Sequence, residues 1–257
     1  MTQLLLTELR KIIPYRTFWT ILLIYAGFLL LFVYASSSVT LNGQQAGAEI
    51  YYFPGIWLKL TYIASYFNLL LGILLIILIT DEYTFRTFRQ QVIDGIFRSD
   101  LVIAKMLVVL LIGVIATLFL TGIGLGFGVA HTPEVTAARI LSGSRHLIYY
   151  LVQAIGYMSL AVFFGFLVRK NGLAIICFLV YAKVLEPLVH YRLDDDLDKY
   201  FPMKVFGSLT PMPGQEVLDS LTGPTINLNP PQAILPAIMY SGLFYVLAYL
   251  LLKWRDL

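Results

Sequence analysis

From Leu69 to Ile79 the chain runs through eleven residues without a polar side chain: Leu69-Leu70-Leu71-Gly72-Ile73-Leu74-Leu75-Ile76-Ile77-Leu78-Ile79. This run belongs to one of six stretches apolar enough to cross a bilayer, a crossing that takes about 20 mostly apolar residues for about 30 Å of hydrocarbon. The stretches are 18–39, 60–80, 101–129, 147–168, 172–189 and 233–252. Each is read as a transmembrane helix, so the expected fold is an all-α polytopic membrane protein. It forms one transmembrane domain over residues 1–257, with most of the remaining polar material in an inner loop at 81–100 and an outer segment at 190–232.

Composition agrees. Hydrophobic residues make up 59% of the chain and charged residues 13%, with a mean hydropathy of +0.80. A soluble domain averages about 45–50% apolar and about 25% charged, so this chain has too little polar surface to cover a globule in water. A soluble enzyme, a disordered chain and a nucleic-acid binder are excluded. The net charge of +3 leaves no basic footprint for DNA or RNA. The single cysteine, Cys177, excludes an intrachain disulfide and a cysteine-cluster metal site.

Orientation follows from the positive charges. With the N-terminus inside, eleven Lys and Arg residues fall on the inner side and six on the outer, so both termini are expected in the cytoplasm. Tyr and Trp gather near the span ends, as in an interfacial aromatic belt. Residues Leu4 to Ile13 place Leu5, Leu6, Leu9, Ile12 and Ile13 on one helical side and Glu8 and Lys11 on the other. That pattern suits a helix over 1–16 lying in the inner interface and ended by Pro14. A plain cytosolic extension of the first span is the other reading. A signal peptide cut after Ala35 is disfavoured by the long charged leader and by an apolar run longer than a usual signal core.

Chemistry-bearing motifs are absent from the sequence. No Gly-x-x-x-x-Gly-Lys-Ser/Thr loop occurs to cradle phosphate, and His131, His146 and His190 are too dispersed for a metal pair. Gly122, Gly124, Gly126 and Gly128 lie within an apolar span, where close helix packing or a local break explains them better than a dinucleotide turn. No catalytic residue and no metal site is expected.

The informative stretch is the inner loop from Asp81 to Asp100. Phe85, Phe88, Val92 and Ile96 recur at helical spacing, Arg86, Arg89 and Gln90 take other faces, and Gly95 can end a helix. Such a short amphipathic helix can dock on a partner protein, and the same pattern permits it to rest on anionic lipid headgroups. Glu82, the run Thr87-Phe88-Arg89-Gln90, then Val92-Ile93-Asp94-Gly95, Arg98 and Lys105 resemble the inner loop of ABC-2-type transporter permeases. Six spans, an N-terminal interface helix and a long outer segment before the last span resemble that family's layout as well.

The resemblance implies a permease subunit of an ATP-driven exporter in a bacterial inner membrane, moving an amphipathic drug, peptide or lipid-like molecule. It implies two permease copies, identical or paired with a relative, on two separate ABC ATPase subunits that bind ATP and Mg; this chain would carry no cofactor. The segment from Thr84 to Gly95 would be the coupling helix seated on the ATPase. Glu82, Phe85, Phe88, Arg89, Asp94, Gly95 and Arg98 are the residues expected to serve it, with Glu82, Arg89, Asp94 and Arg98 making ion pairs at its junctions.

Outside the loop, Lys183 and Glu186 lie three residues apart on the fifth span. They are read either as a polar patch on the substrate path or as a local ion pair where the span ends early at Pro187. Tyr62 and Tyr66 are candidates to line a path for an amphipathic substrate. In the outer segment, the acidic run from Asp194 to Asp198 lacks the glycine of a calcium loop and is read as a solvated turn. An ion-coupled secondary transporter and a non-transporting assembly or immunity subunit are the rival functions.

Overall fold

The computed structural model describes residues 2–37, 51–190, 195–215, 219–220 and 227–255. Residues 38–39 of the first expected span, and 191–194, 216–218 and 221–226 of the outer segment, lie outside the described residues. The regular structure is helical, with no strand among the described residues. Helix α1 (Thr2–Ile12) leads to α2 (Arg16–Ser37), and α3 (Ile56–Thr84) is followed by the short α4 (Thr87–Ile93). Then come α5 (Arg98–His131), α6 (Ala137–Leu141) and α7 (Arg145–Val168). After α8 (Asn171–Val180) one π-helical turn (Tyr181–Leu185) passes into α9 (Glu186–His190). The chain closes with α10 (Asp195–Asp198), α11 (Pro202–Ser208) and α12 (Pro230–Trp254).

Six helical segments are long and apolar enough to cross a membrane. They are α2, α3, α5, α6 with α7, the run from α8 into α9, and α12. Consecutive spans alternate in direction, which brings α1, α4 and the end of α12 to one end of the bundle and α6, α10 and α11 to the other. Several helices run beyond the stretches read from hydropathy. The second span, α3, starts at Ile56 and continues to Thr84, carrying Asp81 and Glu82 in its last turns. A helix keeps its backbone hydrogen bonds after it leaves the hydrocarbon, so hydropathy marks the apolar part of a helix and not its ends.

Helix α7 is the hub. It packs along α3 and α12 and also meets α5, α8 and α11. Its packed faces carry small residues: Ala154, Gly156, Ser159, Ala161 and Gly165 are buried on it. Without a hydrophobic drive between helices inside lipid, close backbone approach and van der Waals contact hold such a bundle together. Large side chains fill the spaces that the small residues leave. Phe206 of α11 lies over Gly156, Ile79 of α3 over Gly165, and Phe178 of α8 over Gly72 of α3. Of the four glycines in the third span, Gly124 and Gly128 receive the rings of Trp57 and Phe53, whereas Gly122 and Gly126 face open space. The close-packing reading therefore holds for one face of that glycine run.

The outer faces of the spans are apolar too. Leu23, Phe28, Leu31 and Phe32 on α2 and Leu235, Ile238, Met239 and Val246 on α12 are all exposed. In a bilayer these side chains meet lipid. Polar contacts between spans are few and specific: the Tyr25 and Tyr150 hydroxyls meet at 2.6 Å between α2 and α7, both rings buried.

A Cβ at Gly72 would lie 2.7 Å from Cζ of the fully buried Phe178. Gly72→Leu is expected to destabilise the bundle by about 1–3 kcal/mol through overpacking, read as a lower Tm in a dye-monitored melt of the detergent-solubilised chain. Gly122→Leu, placed where no atom lies within 4 Å, should leave Tm unchanged.

Candidate functional site

Four charged side chains converge where α1, the end of α3 and the start of α5 meet. Lys105 of α5, 2% exposed, donates to Glu8 of α1 and, at 2.6 Å, to Glu82 Oε1 of α3. Lys11 of α1 donates to Glu8 Oε1 at 2.7 Å and to Glu82 Oε1 at 3.2 Å. Beside this cluster the Tyr15 hydroxyl donates to Asp81. A charge taken out of water is costly unless it meets an opposite charge in good geometry, and each of these does. Glu8 and Lys11 lie three residues apart and share one face of α1, so Glu8 reaches Lys105 of α5 while Lys11 reaches Glu82 of α3.

The structure shows how α1 is turned: Glu8 and Ile12 are buried, while Leu6 and Ile13 are exposed. Helical periodicity separates a polar from an apolar face but does not say which one meets the protein. In a bilayer interface the apolar face can meet lipid, which leaves the charged face to dock on the charged ends of α3 and α5.

Helix α4 lies against the same cluster. The chain leaves α3 through Phe85 and Arg86, with Arg86 in the left-handed conformation at φ 58°, and so turns before α4 begins at Thr87. The Thr87 hydroxyl donates to the Glu82 carbonyl at 3.2 Å. Phe88 is buried, with its ring 4.9 Å from that of Tyr83, 5.6 Å from that of Phe166 on α7, and 5.6 Å from the Lys105 ammonium. Gly95 follows the helix at φ 91° and turns the chain toward α5. Val92 and Ile96 lean on the core, whereas Phe85, Ile93 and Phe97 are 72%, 69% and 74% exposed. The expected stripe of Phe85, Phe88, Val92 and Ile96 is thus broken: Phe85 precedes the helix, across the Arg86 turn, and points outward.

Of the four residues expected in ion pairs around this helix, Glu82 alone makes one among the described residues. Asp94 accepts from Gln90 Nε2 at 3.2 Å within its own turn, and Arg89 is exposed. Arg98 binds the end of the last span, its Nη1 donating to the carbonyls of Leu252 at 2.9 Å and Lys253 at 2.8 Å. Arg255 does the same for α7, donating to the Leu167 carbonyl at 2.7 Å. The last carbonyls of a helix have no partner within it, so an arginine from a neighbouring segment satisfies them and ties the two ends together.

At the opposite end, Lys183 and Glu186 part company instead of pairing. Lys183 is exposed and lies 6.0 Å from the ring centre of Tyr66. The Tyr66 hydroxyl meets that of Tyr62 at 2.6 Å. Glu186 is buried and turned to α11, where Oε1 accepts the Met203 and Lys204 amides at 2.6 and 3.2 Å. The π turn that contains Lys183 and ends just before Glu186 separates the two, because it shifts the helical register. At the other end of α11, Gln153 of α7 donates to the Phe206 carbonyl at 2.9 Å and to Thr210 at 2.8 Å, and accepts from Asn68 of α3 at 3.2 Å.

The model of the ABC-2 family transporter protein family matches residues 4–184, from α1 through the ionic cluster to the π turn. The chain belongs to that family. No curated protein matches it in sequence. It is a multi-pass permease of an ABC transporter, the transmembrane component and not the catalytic one. The permease's buried charges include one that the loop motif did not contain, Glu8, and its half-buried neighbour Lys11 joins the same cluster. The signal for them was present as an acid and a base three apart on a helix facing a run that already held Glu82 and Lys105. Gln153 and Asn68, single polar residues in apolar spans, carried a similar signal.

Two predictions follow from the cluster. Lys105→Met leaves the buried Glu8 and Glu82 sharing Lys11 alone and is expected to cost about 3 kcal/mol, the low end for a broken buried pair. The triple substitution with Glu8→Gln and Glu82→Gln should recover most of that loss, as read from melts of the solubilised permease. Unchanged melting of Lys105→Met would contradict the buried cluster. For Glu8, burial favours the neutral acid, but the Lys105 and Lys11 ammonium groups outweigh it and hold the carboxyl below its ordinary value. A depressed carboxyl stabilises above its unfolded value and loses that contribution as pH falls through its folded one. Docking of α1, followed by maleimide labelling of Leu9→Cys, should therefore be constant from about pH 8 to 5 and loosen only below about pH 4.

Proposed function

We propose that this permease is driven by separate ABC ATPase subunits through the segment from Phe85 to Phe97, and that it exports an amphipathic molecule. The observation that carries the reading is the two-sided character of α4. One side is anchored by Phe88 over Lys105 and by Thr87 on the end of α3. The other presents Phe85, Ile93 and Phe97 with Arg86 and Arg89, all exposed. An apolar patch rimmed by arginines at the end of a membrane bundle suits a protein groove better than water.

In this reading ATP and Mg are held by the ATPase, and two ATPases serve two permease copies. The Lys and Arg bias supports a cytoplasmic side for α1, α4 and both termini, and the reading sets the permease in a bacterial-type inner membrane. Closure of the ATPases displaces α4. Because α4 is joined to α1, α3, α5 and α7 through Phe88 and the ionic cluster, the displacement moves the spans together. Coupling of this kind requires an assembly with two states whose contacts differ. A second permease copy is supported by Lys183, Tyr62 and Tyr66, polar groups on the side of the bundle that are costly against lipid and need a wet path or a partner beside them. Glu82, Phe88 and Gly95 then shape the coupling helix, Arg98 anchors its far end, and Phe85, Arg89 and Asp94 face the ATPase side.

The paired substitution Ile93→Asp and Phe97→Asp adds charge to exposed positions without touching the cluster. It is expected to abolish co-purification of the ATPase from native membranes, while Arg89→Glu weakens it and both variants still insert. Full assembly and ATPase stimulation in both variants would overturn the coupling assignment.

A further inference from the structure

Lys183 is an exposed ammonium inside a membrane span that runs Asn171–Val189. At about 1.5 Å per residue it stands about 18 Å from the start of that span and about 9 Å from its end. An ion at such a depth is costly unless an opposite charge or water meets it. No ion pair holds Lys183 among the described residues. The carboxylates on the described spans lie elsewhere: Asp81, Glu82 and Asp100 at the α4 end of the bundle, and Glu186 buried and turned to α11. A second copy of the chain brings the same set, so it offers Lys183 no carboxylate on the spans either.

The surroundings of Lys183 are two-sided. The ammonium lies 6.0 Å from the ring centre of Tyr66, which is 56% exposed. The Tyr66 and Tyr62 hydroxyls meet at 2.6 Å, so one donates to the other and the pair keeps one O–H to donate outward. The same two tyrosines border a groove of about 490 Å³ between α2 and α3, lined also by Phe28, Phe32, Ile63 and Phe67. A groove of that size, apolar with a few polar groups at one edge, has the character of a small-molecule site. We propose that Lys183, Tyr62 and Tyr66 receive the anionic head of an amphiphile whose apolar body lies in this groove.

Charge sets the sign of the head. A cation is repelled by Lys183, and a neutral head leaves the ammonium unmet. A carboxylate, sulfonate or phosphate supplies the missing charge and accepts from the ammonium and from the free tyrosine O–H together. An anionic lipid of the bilayer and a free amphiphilic acid share this chemistry. The inference names the head group of the exported molecule, and for that role it rests on the export reading above.

The test uses the full chain in nanodiscs of phosphatidylcholine, with radiolabelled octylbenzenesulfonate as probe and empty nanodiscs as background. Saturable binding is expected, with octylbenzyl alcohol and octylbenzylammonium weaker by about tenfold or more. Lys183→Met should weaken the sulfonate by a similar factor, whereas Lys183→Arg should keep it within about threefold. Ile63→Trp, which fills the groove and leaves every charge in place, should abolish saturable binding. Adding phosphatidylglycerol separates the sources: displacement of the probe assigns the site to the lipid, and no displacement assigns it to a free acid. Non-saturable binding to the wild-type chain, equal affinity for the three head groups, or unchanged binding in Lys183→Met overturns the proposal. The probe needs no ATPase, so the two readings fail separately. Absent binding beside normal ATPase assembly overturns this inference alone, and saturable binding in a permease that assembles with no ATPase overturns the coupling reading alone.

Discussion

The contact on which the rest of this structure depends is the ionic cluster of Glu8, Lys11, Glu82 and Lys105. Three helices meet there, and moving any one of them away breaks at least two of the ion pairs. Such a cluster is weak evidence for stability, because desolvation offsets much of the attraction between the charges. Its effect is on geometry. Lys105 has two carboxylate partners on two different helices, so α1 and α3 are positioned together against α5. The Lys105 ammonium also lies beside the Phe88 ring, so α4 shares that position. The end of the bundle then behaves as one piece, as the proposed drive by an ATPase requires.

The opposite end is organised by a different device. Helix α11 is held at its start by the Glu186 carboxylate and at its finish by the Gln153 amide. Both side chains are buried, and both contact backbone groups near the ends of this short helix. In a bundle packed through small residues and aromatic rings, these hydrogen bonds fix where α11 sits more than how strongly it is held. The arginines at the α1 end play a comparable part: Arg98 and Arg255 stitch the start of α5 to the end of α12, and the end of α12 to the end of α7. Backbone carbonyls at helix ends are thus used throughout as attachment points.

Much of the architecture was legible in the sequence. The six spans, the break after Asp81-Glu82 and the glycine stop at Gly95 are all local features, set by residues close together in the chain. The loop motif also contained Glu82 and Lys105, which do pair. The orientation of α1 was less legible, because an amphipathic helix in an interface has two environments available and periodicity does not choose between them. Lys183 and Glu186 were similarly ambiguous. Their spacing allows a pair on a regular helix, but the π turn that contains Lys183 and ends just before Glu186 changes the register, and an acceptor site opens on α11.

The sequence by itself determined that this chain spans a membrane six times and carries a short polar helix between the second and third spans. Hydrocarbon imposes length and apolarity on each span separately, so each can be read without knowing its neighbours. The tertiary structure alone decided which charges meet. Lys105 pairs with Glu8 across 97 residues, and Gln153 reaches Phe206 across 53. Pairings at that separation depend on how the helices are laid beside one another, and no local pattern contains that information.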